Sequence, residues 1–296
     1  MKTGNCSLRT LIEMMMEVQV HPDAVKESER FAMLHAAHCH IAICFLEEKI
    51  QAGVFDLDRG CVIWLKEYTR SQDQNRVEFA NHVFYSNKIL TGMFRKATIA
   101  ISGAAFSPVP SAFFHAGNEA SHLQINAGST NGKIFTQVLK NADVTMVYSQ
   151  DHEISSVIET HFPAAKTISH VATFAEYAMA VNHDRKNVLL AQVDANQMML
   201  VAVATGLMMC NQFEVAQPDD ALYHIANTAA RLGMELQTTR ILLAGDHSFL
   251  KNLQISLMHY SPHSTFCGFD ELKCNEDITA LPRYHFAPVI TQFLCA

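Results

Sequence analysis

Residues 188–215 read VLLAQVD-ANQ-MMLVAVA-TG-LMMCNQFEV, and the fold is decided there. Val188 to Asp194 reads as a buried strand. Ala195-Asn196-Gln197 makes a turn, Met198 to Ala204 a second strand, and Thr205-Gly206 leads into a third, Leu207 to Val215. Short turns between such runs predict an antiparallel meander. Downstream, Pro218-Asp219-Asp220 opens a helix, since proline and acids suit a first turn. Leu222, Ile225, Ala226, Ala229 and Leu232 form its apolar stripe, and Gly233 ends it. Arg240 to Gly245 is another buried strand, followed by a helix from Ser248 to Tyr260.

The same plan stands earlier in the chain. Ile41 to Leu46 is a buried strand, Glu47-Glu48-Lys49 a turn, and Ile50 to Leu57 a second strand. Asp58-Arg59-Gly60 turns into a third, Cys61 to Tyr68. Phe79, Val83, Ser86 and Leu90 then share one helical face, with Gly92 placed to end it, and Thr98 to Gly103 is a short strand. The strand at Ile41 recurs at Val188 and that at Thr98 at Arg240, a spacing of roughly 145 residues that points to duplication. Between the repeats lie a strand at Asp143–Ser149, a helix from His152 to Phe162 and a strand at Thr167–Val171. Thr173 and Glu176 read as a capping box opening a helix through Val181. Asn182 to Lys186 reads as a boundary. The expected division is a weakly organised segment over 1–35, with a helix start at Leu11–Met16, a first lobe over 36–182 and a second over 183–296.

Composition narrows the function. The chain has 296 residues, of which 49% are hydrophobic and 17% charged, enough to cover a sheet on both faces. The net charge of −7 comes without a basic cluster, so neither nucleic acid nor an anionic membrane surface is an expected partner. No apolar run reaches the roughly 18 residues of a membrane span, and Met198–Cys210 is broken by Thr205 and Gly206. No membrane insertion is expected. Met1 to Asn5 leads into no secretory apolar segment, so a cytoplasmic setting is expected. The eight cysteines contain no C-x-x-C pair and are read as reduced structural thiols.

The fold class is therefore α/β, with a three-stranded meander followed by alternating helix and strand, present twice. That is the plan of two ribonuclease H-like lobes in the actin-like ATPase architecture. The chain also resembles a bacterial family of unknown function with this fold. The resemblance rests on His40-Ile41-Ala42-Ile43-Cys44 and its hairpin, Val109 to Phe114, and Asp219-Asp220-Ala221-Leu222-Tyr223. It continues through Leu242-Leu243-Ala244-Gly245-Asp246 and the segment from Tyr284-His285-Phe286 to Phe293-Leu294-Cys295. It implies a fold and no established activity.

ATP-using members of the superfold hold phosphates in the turn between the first two strands of each lobe, commonly an Asp followed by glycines. Glycine lets backbone N–H groups approach phosphate, and the Asp organises hydrated magnesium. Here the first turn, Glu47-Glu48-Lys49, has no glycine and presents two carboxylates, which Lys49 or a metal would have to offset. In the second lobe Asp194 sits where a magnesium-organising Asp would, but Ala195-Asn196 follows; Asp194 also reads as an ordinary turn residue, and Asn196 as the left-handed one. Adenosine is usually held by a Gly-Gly pair, of which only Gly245 remains, before Asp246 and His247. Were the site active, Mg-ATP would lie among Glu47, Lys49, Asp194, Asn196, Gly245 and Asp246. With every element altered, no cofactor and no ATP hydrolysis are expected. The expected function is that of a pseudo-enzyme, a non-catalytic binding or scaffold protein with a protein partner. The alternative is a divergent ATPase or small-molecule kinase using the inter-lobe cleft.

Other clusters read as structural. His35, His38, Cys39 and His40 do not converge on one face as a tetrahedral metal set. Cys267 and Cys274, with His263 nearby, are spaced too widely for zinc. Asp56 and Asp58 read as a solvated hairpin tip, and Met198, Met199, Met208 and Met209 as core filling.

Overall fold

The meander is present twice in the computed structural model, which describes residues 33 and 35–295 apart from 104, 128–131, 141, 185, 271 and 275–281. The helix start read at Leu11–Met16 lies outside the described residues. In the first lobe β1 (Cys39–Phe45), β2 (Lys49–Asp56) and β3 (Cys61–Thr69) pair antiparallel. Helix α1 (Arg76–Ser86) leads to β4 (Lys96–Ile101), which runs parallel to β1. Next come β5 (Phe106–Pro110), α2 (Glu119–Ala127), β6 (Gly132–Val138) and β7 (Val144–Asp151), forming a separate antiparallel sheet in the order β5-β7-β6. Helix α3 (His152–His161) returns to the lobe, β8 (Lys166–Ser169) adds parallel to β4, and α4 (His170–Ala180) closes the unit.

The second lobe repeats this with β9 (Val188–Asp194), β10 (Gln197–Val203), β11 (Leu207–Glu214), α5 (Pro218–Arg231), β12 (Arg240–Gly245), α6 (His247–Leu257) and β13 (Ser264–Phe266). Then β14 (Lys273–Cys274) pairs with β3 of the first lobe, and α7 (Ala287–Cys295) ends the described chain. The sheets run β14-β3-β2-β1-β4-β8 and β11-β10-β9-β12-β13, the same order about each meander. All seven residues of β1 and all seven of β9 are buried, because each is the central strand with helices on both faces.

Two helices bind the lobes together. α4 follows the last strand of the first sheet but packs on β9, β10 and β11, whereas α7 follows the second lobe and packs on β1 and β2. A division at 182/183 follows the chain, and both helices pack across it. A buried polar chain docks α7: His40 Nε2 donates to Thr98 Oγ1 at 2.8 Å, and Thr98 Oγ1 donates to Gln292 Oε1 at 3.0 Å. Gln292 Nε2 in turn donates to the Ile43 carbonyl at 3.1 Å.

Four local readings are corrected. α1 stops at Ser86, not Gly92, and Leu90 is buried in the turn beyond it. α4 begins at His170, where the strand Thr167–Val171 was expected to continue, because the Ser169 hydroxyl accepts from Ala172 N–H and caps the helix. Thr173 and Glu176 form no capping box: Thr173 Oγ1 donates to the His170 carbonyl, and Glu176 accepts from Lys140 N–H. Asn182, read as boundary, is buried and donates to the Ala204 carbonyl at 2.6 Å.

Candidate functional site

The two opening hairpins face each other across the lobes. Lys49 is the first residue of β2 and Asp194 the last of β9, so each stands beside its own turn. Lys49 Nζ lies 2.9 Å from Asp194 Oδ1 and 3.5 Å from Glu67 Oε2. Asp194 is therefore an ion-paired group and not the ordinary turn residue it resembles in sequence. Burial pulls the Lys49 pKa down, but the Asp194 and Glu67 carboxylates outweigh it and hold the amine above its ordinary value.

Glu67 extends the network. Gln51, its cross-strand partner, donates to Glu67 Oε2 at 2.8 Å and to the His285 carbonyl at 2.9 Å. His285 Nε2 reaches the same carboxylate at 2.8 Å, and its Nδ1 faces the Gly245 carbonyl at 3.3 Å. Burial alone would raise the Glu67 pKa. The hydrogen bonds from His285 and Gln51 and the charge of Lys49 instead hold it near about 2.

At the third expected element the glycine serves the fold. Gly245 has φ +111°, and a Cβ there would lie 1.8 Å from the Val193 carbonyl oxygen of β9. Asp246 caps α6, accepting from Ser248 N–H at 3.0 Å and Phe249 N–H at 3.1 Å. Beside it Tyr284 stacks on Phe266 with centroids 4.4 Å apart, and its hydroxyl meets His247 Nδ1. Protein rings thus lie beside Gly245, where the resemblance implied an adenosine contact.

The structure brings Glu47 and Asp194 to one cavity, whose wall includes Ser102, His170, Gln192 and Gln197. Its volume is about 20 Å³. That is room for about one water molecule, against the roughly 300–1,000 Å³ of small-molecule pockets. Asn196 does not join: it is exposed at the turn, its carbonyl accepting from Val215 N–H. The left-handed residue in that turn is Ala195, φ 49°, and not Asn196. Sequence reading missed Gln51, Glu67 and His285; the available signal was a polar Gln51 inside an otherwise apolar strand.

The remaining clusters diverge. His40 points into the core toward Thr98, while His38 is exposed and pairs with Asp58 at 3.1 Å. Asp56 is buried, and its Oδ1 accepts from Asp58 and Arg59 N–H groups, which closes the hairpin; it is not the solvated tip expected. Met198 and Met199 are core residues, whereas Met208 is exposed. Among the described residues no three His, Cys, Asp or Glu side chains are placed to hold a metal ion. No helix among them is long and apolar enough to cross a membrane.

Comparisons agree with this architecture. A Bacteroides thetaiotaomicron protein with an actin-like ATPase fold and unknown function superposes with a TM-score of 0.73 at 16% identity, covering 85% of this chain and 98% of its own. A PilM–PilN type IV pilus biogenesis complex gives a TM-score of 0.61 at 10% identity, covering 87% and 99%. Identities this low speak for the fold alone. No curated protein matches the chain. Residues 28–263 match a family described as "Protein of unknown function (DUF3822)". With the duplicated lobes and the helix pair between them, the chain belongs to that family and has the actin-like ATPase fold.

Proposed function

We propose that the protein is a non-catalytic, actin-like binding or scaffold protein, a pseudo-enzyme whose nucleotide position is filled by its own side chains. The Lys49–Asp194 ion pair carries this reading. It joins the two turns that would have to receive phosphate, and the cavity beside it holds about one water. A triphosphate entering there meets Glu47, Glu67, Asp194 and Asp246. One such carboxylate at about 4 Å from a phosphate charge costs on the order of 4 kcal/mol at an effective dielectric near 20. The partner would be a protein. The similar pilus-biogenesis structure is itself a complex with a second protein, which supports a binding role for this fold.

The second reading is a divergent ATPase or small-molecule kinase. The meeting of Glu47, Lys49 and Asp194 from facing hairpins favours it, provided the lobes part and Lys49 turns to phosphate. Thermal unfolding with and without millimolar Mg-ATP separates the two. The scaffold reading expects no shift. Ligand at about 100 times its dissociation constant adds roughly 2.7 kcal/mol, a rise of about 5–10 °C for a chain of this size. A rise of that order overturns the scaffold reading.

A further inference from the structure

The second lobe carries a cavity of about 340 Å³ at the sheet edge away from the inter-lobe site. β9, β12 and β13 run parallel, so their N-terminal ends lie together. β9 is seven residues long, which sets its first residue, Val188, roughly 20 Å from Asp194 at about 3.3 Å per residue. Arg240 is level with Val188, and Ile241 N–H extends the ladder to the His263 carbonyl at 3.2 Å. Thr265 pairs with Leu242, two residues on from Arg240, so Val188, Arg240, His263 and Thr265 share one face of the sheet. Higher up, that face packs against α4. The helix stops short of the edge, and Arg240 Nη1 donates to the Val181 carbonyl at its end at 3.4 Å. Arg240 is therefore the exposed first residue of a strand otherwise buried throughout.

The cavity wall is rich in donors. Arg240 commits one N–H to Val181 and among the described residues pairs with no carboxylate, which leaves most of its guanidinium fork to the cavity. His263 and Thr265 are exposed, and among the described residues their side chains make no hydrogen bond. Lys186 Nζ lies 3.0 Å from Asp184 Oδ2, with both side chains well exposed, 73% and 59%. Such a pair is weakly held, and the ammonium can turn to a ligand. Two permanent cations thus face one carboxylate in a chain of net charge −7.

We propose that this cavity binds a small phosphate monoester, its phosphate held by Arg240, Lys186, His263 and Thr265 and its organic part lying against Val188 and Pro262. Donors converging from neighbouring strands suit a tetrahedral oxyanion. A planar carboxylate is satisfied by one guanidinium fork alone. At about 30 Å³ per water the cavity has room for about eleven, more than a phosphate group fills, and it reaches the size range of small-molecule pockets. The site lies apart from the Lys49–Asp194 pair and does not depend on how the inter-lobe position is read.

The test is isothermal titration of the full chain with phenyl phosphate, inorganic phosphate and benzoate, at constant ionic strength in chloride and without magnesium. Phenyl phosphate is expected to bind at one site per chain, inorganic phosphate more weakly at the same site, and benzoate weakest. Arg240→Met is expected to weaken phenyl phosphate at least about tenfold, as for a lost charge-assisted hydrogen bond. Lys133→Met, which removes an exposed cation of the first lobe, is expected to change nothing. In the wild-type protein the His263 ring signals should shift on adding phenyl phosphate, a reading that needs no variant to fold. No saturable binding of either phosphate at millimolar concentration overturns the proposal. So do benzoate binding as tight as phenyl phosphate, unmoved His263 signals, or a folded Arg240→Met protein with wild-type affinity. A Mg-ATP effect that survives Arg240→Met belongs to the inter-lobe position and bears on the scaffold reading alone.

Discussion

Lys49 Nζ, at the opening hairpin of the first lobe, lies 2.9 Å from Asp194 Oδ1, at the opening hairpin of the second. Both side chains are largely removed from water, 13% and 10% exposed. Two charges at such depth stabilise a structure only through each other, and removing one leaves the other buried without its partner.

Lys49→Met should therefore destabilise the protein by about 3 kcal/mol, since Asp194 and Glu67 lose the same cation. The double variant Lys49→Met, Asp194→Leu should recover part of that loss. Urea midpoints of the three proteins measure the effect. Equal midpoints for wild type and Lys49→Met would show that the pair does not hold the lobes.

Stability should fall as pH drops below about 6.5. Burial, aided by the charge of Lys96, lowers the His40 pKa to about 3. Burial also lowers that of His170 to about 4, against the opposing hydrogen bond of Gln192 and charge of Asp194. Between about pH 6.5 and 4 the unfolded chain binds a proton at each of these residues and the native protein does not. Unfolding is then favoured by about 1.4 kcal/mol per pH unit for each. Imidazole nitrogen shifts by NMR should report both rings neutral at pH 5; titration of either near 6.5 contradicts the buried neutral state.

Glu67 acts in a lower window. Its folded pKa near about 2 lies below the ordinary 4.5, so its contribution is complete above about 4.5 and is lost as pH falls toward 2. Glu67→Gln should cost about 2–3 kcal/mol at neutral pH. The two proteins should converge on acidification, as chemical denaturation at pH 7 and pH 3 would read. A gap unchanged at pH 3 assigns the loss to packing and not to charge.

Gly245→Ala should be far worse than Gly60→Ala. Both residues have positive φ, but a Cβ at position 60 meets nothing within 4 Å, whereas one at 245 runs into the Val193 carbonyl oxygen. About 1 kcal/mol is expected at Gly60, and more than about 3 kcal/mol at Gly245, where strain adds to forced separation of β9 and β12. Melting temperatures compare them directly, and equal losses would deny the close approach.

The repeated meander was legible because its cause is local. β1 and β9 are each covered on both faces, so each is mostly apolar, with only His40 polar in β1 and Gln192 and Asp194 in β9, and the turns between such runs are short. The helix starting at Pro218 was legible for the same reason, since proline and acids act within one turn. Of the small sheet only β7 was legible, as the strand read at Asp143–Ser149; β5 and β6 were not, because β6 buries none of its residues fully and β5 carries two prolines.

At the candidate site the sequence by itself determined what each turn lacks: no glycine follows Asp194, and two glutamates occupy the first hairpin. Only the tertiary structure decided what stands there instead. Lys49 and Asp194 are far apart along the chain, as are Glu67 and His285, and no periodicity links such partners. They meet because α4 and α7 each pack across the division between the lobes and bring the two hairpins face to face. Ion pairing acts through space at a few ångströms, so it leaves no trace in sequence spacing.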